Sequence, residues 1–430
     1  MTDPHQPYTR RRFLERGLIF ASAAATVPTF LHRSASSVFA QTSSATSSIP
    51  GVPEDRILVV VQLAGGNDGL NTLIPARNDE YYRVRPQIAV PRDEVLTLER
   101  SADVGLHPAL DGFKSLYEDG MLSIVQGVGY PNPNRSHFAS MDIWHTADTS
   151  GVGDGWIGKF FDNECAGTPD GCGDGGIAIG REAPLAMQGR AFQPITFEDP
   201  NLFRWIGEDL SGETADAYHE LMDAEQMLEH PEGSNADFLT RTTLDAQVSS
   251  QRIREAVEQR PLVNYPGFNL AQQLRQIGAM IRAGLATRVY YATIGGFDTH
   301  AGQGGANGRH AQLLGQVAQA INTFYADLKA QRNDGRVLTV CFSEFGRRVG
   351  QNYSGGTDHG TAAPMFLAGP MVRPGLLGRY PSLNDLDNGD LKFTTDFRSV
   401  YASVLEDWLG LRRHDTVLGS RYRKAKVLSV

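Results

Sequence analysis

The sequence predicts an α/β sandwich with a mostly parallel sheet. Three observations support this: continuous apolar runs rich in Val, Ile and aromatic residues recur along the chain, helical patterns separate them, and short Gly-containing turns lead from helix to next run. Runs without alternation suit strands covered on both faces. Strand, helix, strand in this rhythm is what a parallel sheet with helical crossovers requires.

The first element is not part of that sheet. The N-terminus pairs Arg10 with Arg11, continues through Phe13 and Leu14 into an apolar run from Gly17 to Leu31, and ends on Val38, Phe39 and Ala40. A basic region, a short apolar region and a small-residue cleavage site make residues 1–40 an export signal. The twin arginine marks the route that carries folded proteins and gives the translocase as a partner during export. The apolar run is interrupted by Pro28 and falls short of the ~20 residues that span a bilayer, so no stable membrane span is expected. The Ser/Thr-rich residues 41–55 read as a flexible linker, and a periplasmic or extracellular location follows.

The strands come next, in "RILVVVQLAGG" from Arg56, "MLSIVQGVG" from Met121, "RVYYATIGG" from Arg288, "RVLTVCFSE" from Arg336 and "APMFLAG" from Ala363. Helical patterns start at His107, Phe268 and Gly308, and a closing one in "DFRSVYASVLEDWLG" sets Val400, Val404, Leu405 and Trp408 at core-like spacing. Residues 56–430 therefore read as one domain. Residues 150–265 break the rhythm with a glycine-rich loop and two polar helical stretches, and read as a cap inserted over one edge of the sheet.

Composition narrows the function. With 41 % apolar and 21 % charged residues the chain has enough apolar material for a large core, and its net charge of −9 with no basic run makes nucleic acid a poor partner. Cys165 and Cys172 are placed to close a small disulfide loop in an oxidising compartment, while Cys341 sits in an apolar run as a core thiol. No HExxH helix, GxSxG elbow or P-loop occurs, which removes the commonest zinc-protease, lipase and nucleotide-hydrolase readings.

Ligands of an open parallel sheet bind beyond the carboxyl ends of its strands, and the polar residues gather there. "GGNDGLN" follows the first run, "YPNPNRSHF" the second, "GGFDTH" the third and "SEFGRR" the fourth, and "GGTDHG" precedes the fifth. Hard oxygen donors mixed with imidazole suit zinc, manganese or a similar divalent ion. Crowded carboxylates need a cation nearby, which a metal supplies and which Arg135 and Arg347 also offer.

In this order, with "TDFRSVYASVLEDWLG" at the end, these motifs resemble the exported bacterial family called domain of unknown function 1501, from about Arg56 to Leu411. That family is similar in turn to the alkaline phosphatase and sulfatase superfamily. The resemblance implies a three-layer α/β/α sandwich, alkaline-phosphatase-like, with metal at the strand ends. It implies Asp68, Asp298, His300 and His359 as metal ligands. Glu344 stands in the place of a further ligand, and Asp358 orients His359 or binds beside it. Phe345 departs from the pattern, because it stands where the superfamily has a ligating His.

The same resemblance makes Ser136 a nucleophile, with Arg135 and His137 beside it as candidate catalytic residues; as a residue read on its own, Ser136 equally suits a helix N-cap. Two functions follow. One is a metal-dependent hydrolase of phosphate or sulfate esters, taking a small anionic ester or saccharide. The other is a non-catalytic scaffold of that fold in envelope or extracellular polysaccharide assembly.

Overall fold

The computed structural model describes residues 55–99, 101–164, 175–200, 203, 216 and 249–429. The export signal, Cys165, Cys172 and most of the stretch between 201 and 248 lie outside the described residues.

A nine-stranded sheet organises the chain. Its strands are β1 (Ile57–Leu63), β2 (Leu122–Gly129), β3 (Gly176–Ile179), β4 (Ile195–Phe197), β5 (Val289–Ile294), β6 (Val337–Phe342), β7 (Ala363–Ala368), β8 (Gly375–Leu377) and β9 (Thr395–Asp396). They lie in the order β8-β2-β7-β6-β1-β5-β3-β4, with β9 also paired to β2. Every pairing is parallel except those of β7, which runs antiparallel to both β2 and β6. All five strands expected from the apolar runs are present.

The sheet is buried on both sides, which is why the runs do not alternate. Ile57, Val59, Val61 and Leu63 pack into one core with helices α1 (Asp111–Glu118), α4 (Asn269–Arg282) and α5 (Arg309–Gln331). Leu58 and Val60 face the other way, against α2 (His137–Thr146), α3 (Trp156–Glu164) and α6 (Phe397–Ser403). Side chains alternate across a strand, so one apolar run feeds two cores. Each fully buried Val, Leu or Ile contributes roughly 1.5–3 kcal/mol to folding, and all seven residues of β1 are buried. The result is the three-layer α/β/α sandwich.

In the closing segment Val400, Val404, Leu405 and Trp408 are all buried, and the Trp408 indole N–H donates to the carbonyl of Ile57 at 3.0 Å. The end of the chain is thus tied to its first strand. Of residues 150–265, read as a cap, α3 covers one face of the sheet and β3 and β4 extend its edge beyond β5, while most of the polar helical stretches lie outside the described residues. Among the described residues, no helix is long and apolar enough to cross a membrane.

The reversed direction of β7 positions the site. Residues that follow the parallel strands emerge at their carboxyl edge; for β7, that edge is reached by residues that precede it. The "GGTDHG" loop therefore meets the loops after β1, β2, β5 and β6.

Candidate metal centre

Four loops meet around one buried guanidinium. Arg347 donates from Nε to Gly66 O (2.6 Å), from Nη1 to Thr357 O (2.9 Å), and from Nη2 to Gly65 O, to Phe297 O (3.1 Å) and to the Asp298 carboxylate (2.7 Å). It ties the loop after β1 to the loop after β5 and to the one before β7. Gly65 and Gly66 make the first of these turns at φ 120° and 74°. A Cβ on Gly65 would stand 2.4 Å from the backbone N of Asp298, and one on Gly66 2.3 Å from the Phe345 ring. Only glycine supplies both the conformation and the close approach.

Three imidazoles surround Asp298. Its Oδ1 lies 3.0 Å from His300 Nε2, 3.2 Å from His359 Nε2 and 3.5 Å from His137 Nε2, and the two Nε2 atoms of His300 and His359 are 2.8 Å apart. The Nδ1 atom of each ring faces an acceptor. His137 Nδ1 meets Glu344 Oε1 (2.8 Å), His359 Nδ1 meets the carbonyl of Arg135 (2.8 Å), and His300 Nδ1 meets Asp358 Oδ1 (3.2 Å). A carbonyl or an ionised carboxylate can only accept, so a ring that gives its Nδ1 proton to that partner turns an Nε2 lone pair to the centre.

In that state, three lone-pair nitrogens and a carboxylate oxygen in contact would repel one another unless a cation lay among them. One donor each from His137, Asp298 and His359 lies within 4.8 Å of the other two. At metal–ligand distances of about 2.0–2.2 Å, tetrahedral ligand atoms stand about 3.3 Å apart, close to the separations at Asp298. His137 Nε2 is also buried and makes no hydrogen bond, which leaves its lone pair for an ion. The donor set therefore fits a divalent metal. Partial burial pushes the Asp298 carboxyl upward, but the hydrogen bond and charge of the Arg347 guanidinium help to outweigh it and hold it at about 2.

Several expected roles change. Asp68 is fully buried and is not among the donors: its Oδ2 accepts from Arg85 Nη1 (2.6 Å) and Gln303 Nε2 (2.5 Å), so its charge is already answered by a guanidinium. Glu344 is not in that group either. It is buried, accepts from the backbone N–H of Gly65 (2.8 Å) as well as from His137, and sets the tautomer of that ring. Asp358 performs the same task for His300, not for His359, and is itself held by Asn352 Nδ2 at 3.1 Å.

The second loop is rearranged too. His137, expected beside a nucleophile, supplies a donor to the centre. The Arg135 guanidinium turns away to the buried Asp390, while its carbonyl holds His359. Ser136 occupies the N-cap position of α2, but its hydroxyl makes no capping hydrogen bond and is exposed. It sits between two residues that each touch the centre. Phe345 packs its ring against His137 and His359, each at 4.9 Å between centroids, as an apolar wall behind them. Arg347 was expected only as a cation near the carboxylates, not as the tie between loops, and Arg85 was missed.

Residues 208–419 match the family model described as "Protein of unknown function (DUF1501)". This stretch belongs to the DUF1501 family. Of the centre, the DUF1501 stretch contains Asp298, His300, Glu344, Arg347, Asp358 and His359, whereas His137 and Ser136 precede it. No curated protein matches the chain.

Several solved structures are similar to it at low identity. A protein in the alkaline phosphatase superfamily from Vibrio parahaemolyticus is 8 % identical with a TM-score of 0.39, over 92 % of this chain and 79 % of that one. The lipoteichoic acid synthase LtaP from Listeria monocytogenes is 9 % identical with a TM-score of 0.36, over 90 % and 79 %. Ps i-CgsB in complex with k-i-k-neocarrahexaose is 10 % identical with a TM-score of 0.36, over 86 % and 75 %.

Proposed function

We propose that the protein is an exported, metal-dependent hydrolase of phosphate or sulfate esters, with one divalent ion, zinc or manganese, held by His137, Asp298 and His359. The observation that carries this reading is the convergence of three Nε2 atoms on Asp298, with every Nδ1 facing an acceptor elsewhere. His300 stands as a fourth donor or beside the open position. A bound ion would draw the anionic ester to the site and lower the proton affinity of a hydroxyl bound to it.

The chain's own residues supply the rest. Ser136, exposed at the N-terminus of α2, is the attacking hydroxyl, and the N–H groups of that helix end face an anionic group favourably. Arg347 fixes the Asp298 carboxylate, Glu344 fixes His137, and the Phe345 ring keeps water from the back of both imidazoles. Export rests on the twin-arginine segment alone, and replacing Arg10 and Arg11 by Lys should leave folded precursor in the cytoplasm.

A second reading rests on Phe345 and Asp68. The first cannot ligate and the second is occupied by Arg85, so a two-ion site is not available, and a metal-stabilised scaffold in envelope or polysaccharide assembly would look the same. Protein loaded with zinc or manganese should release product from p-nitrophenyl phosphate or p-nitrophenyl sulfate, and Ser136→Ala should keep its metal while losing that turnover. If the metal binds and neither ester is cleaved, the scaffold reading replaces the hydrolase. If Ser136→Ala cleaves as fast as the parent, the nucleophile is a different group.

A further inference from the structure

Ahead of β9 the segment "LDNGDL" folds into a tight hairpin, in which Leu386 pairs with Leu391 and Asp387 with Asp390. Asn388 and Gly389 between them take φ 51° and 85°, the left-handed pair that a two-residue hairpin turn of this hand requires. The turn fixes where Asp390 sits. Its side chain is only 1 % exposed, and its ionic partners come from two loops of the metal centre: the Arg135 guanidinium, from the loop after β2, pairs with Oδ2, and Arg348 Nε, from the loop after β6, lies 3.8 Å from Oδ1.

Both arginines belong to segments that hold His359. The carbonyl of Arg135 meets its ring at Nδ1, 2.8 Å away. Residues 346–348 hold its backbone on either side: the Arg348 N–H donates to Asp358 O (3.0 Å), the Gly360 N–H to Gly346 O (2.9 Å) and the Gly346 N–H to Thr361 O (2.7 Å). One segment orients the imidazole and the other sets the backbone it hangs from, so the direction of Nε2 depends on how the two stand to each other. Asp390 bridges them. The hairpin is tied to the His359 segment as well, because Thr361 Oγ1 donates to the carbonyl of Leu391 at 2.5 Å.

Folding alone does not account for this carboxylate. Asp390 Oδ1 is buried without a hydrogen bond, and a buried charge is often worth less to stability than an apolar side chain of similar size. The two arginine side chains are 41 % and 38 % exposed, so water can solvate them without it. We propose that Asp390 is a positioning residue for the metal centre: by clasping Arg135 and Arg348 it holds the Arg135 carbonyl against His359 Nδ1 and keeps His359 Nε2 turned to the ion. The inference deepens the proposed function and rests on its ion, not on the ester it cleaves.

The experiment uses the full-length protein, with zinc affinity measured by calorimetry and the cobalt-loaded form followed by its visible spectrum, which reports geometry at the ion. Asp390→Asn should weaken zinc about tenfold, as loss of a group that orients a ligand does, and should alter the cobalt spectrum. Arg135→Met keeps the backbone carbonyl and removes only the guanidinium; it should do the same, and the double variant should bind zinc no more weakly than either single one, because both act through one contact. Zinc affinity within twofold of the parent in Asp390→Asn, or losses that add in the double variant, overturns the inference, as does a lower Tm of the metal-free protein with affinity and spectrum unchanged. The Arg135 guanidinium is partly exposed, so Arg135→Met decides the matter if Asp390→Asn does not fold: unchanged affinity there overturns the inference too. Absence of zinc binding by the parent protein overturns the metal centre itself.

Discussion

Glu344 Oε1 lies 2.8 Å from His137 Nδ1, and the carboxylate is buried while the ring it holds is half exposed. A carboxylate in that position fixes which imidazole nitrogen carries the proton and raises the basicity of the other. Glu344→Gln should lower zinc affinity by about 10- to 100-fold without displacing any donor. Competition against a chromophoric chelator measures this; an unchanged affinity would show that Glu344 does not act on the ion through His137.

His359→Ala and His300→Ala should separate. His359 belongs to the mutually close donors, whereas His300 reaches only Asp298 and His359. Losing His359 should remove both bound metal and the rise in Tm that saturating zinc gives, because an ion bound only by the folded chain stabilises it by mass action. Losing His300 should leave measurable metal and part of that rise. Elemental analysis with thermal melts decides between them, and equal loss would make His300 a full member of the ligand set.

The Arg85–Asp68 pair is wholly buried. Removing one charge from such a pair leaves the other uncompensated, so Arg85→Met should destabilise the protein by about 3–5 kcal/mol. Adding Asp68→Asn to that variant should recover part of the loss. Asp68→Asn alone should keep full metal content. Urea denaturation gives the first two results and elemental analysis the third; metal lost on Asp68→Asn would return that residue to the ligand set.

Acid should weaken the fold through two buried histidines that are not among the centre's donors. Burial holds His310 neutral down to about 3 and His145 down to about 4, while an unfolded imidazole takes up its proton near 6.5. Between those limits the unfolded chain binds more protons, so stability is lost as pH falls through 6 and 5, by up to about 1.4 kcal/mol per pH unit for each group. In metal-free protein, His310→Gln should flatten this dependence relative to its own stability at pH 7. An unaltered slope would mean that His310 is accessible to protons in the folded chain.

The sheet was legible because burial on both faces leaves continuous apolar runs, and β1, β2, β5, β6 and β7 all have them. Strands β3 and β4 were not: four and three residues long, they sit among glycines and loops where no period develops. An apolar run also carries no direction, so the reversal of β7 could not be read, although His359 just ahead of it was. At the centre, Asp298 and His359 were recognisable by residue type and by their place at a strand end. Glu344, Asp358 and Asp68 have partners that the sequence did not show, for one reason: a carboxylate that binds an ion, one that orients an imidazole and one that answers an arginine look alike until their partners are known. Arg85, the partner of Asp68, lies in a stretch with no motif.

The central position of β1 governs how the chain reaches this state. Leu58 pairs with Val289 on one side and Leu338 on the other, so the first strand made has no sheet partner until most of the polypeptide exists. Pairings across such separations close large loops before any contact rewards them, which slows folding and leaves apolar segments open to aggregation in the meantime. A fragment ending before β5 should therefore not fold at all, and the metal centre, assembled from loops after β1, β2, β5 and β6 and before β7, should be among the last regions to form.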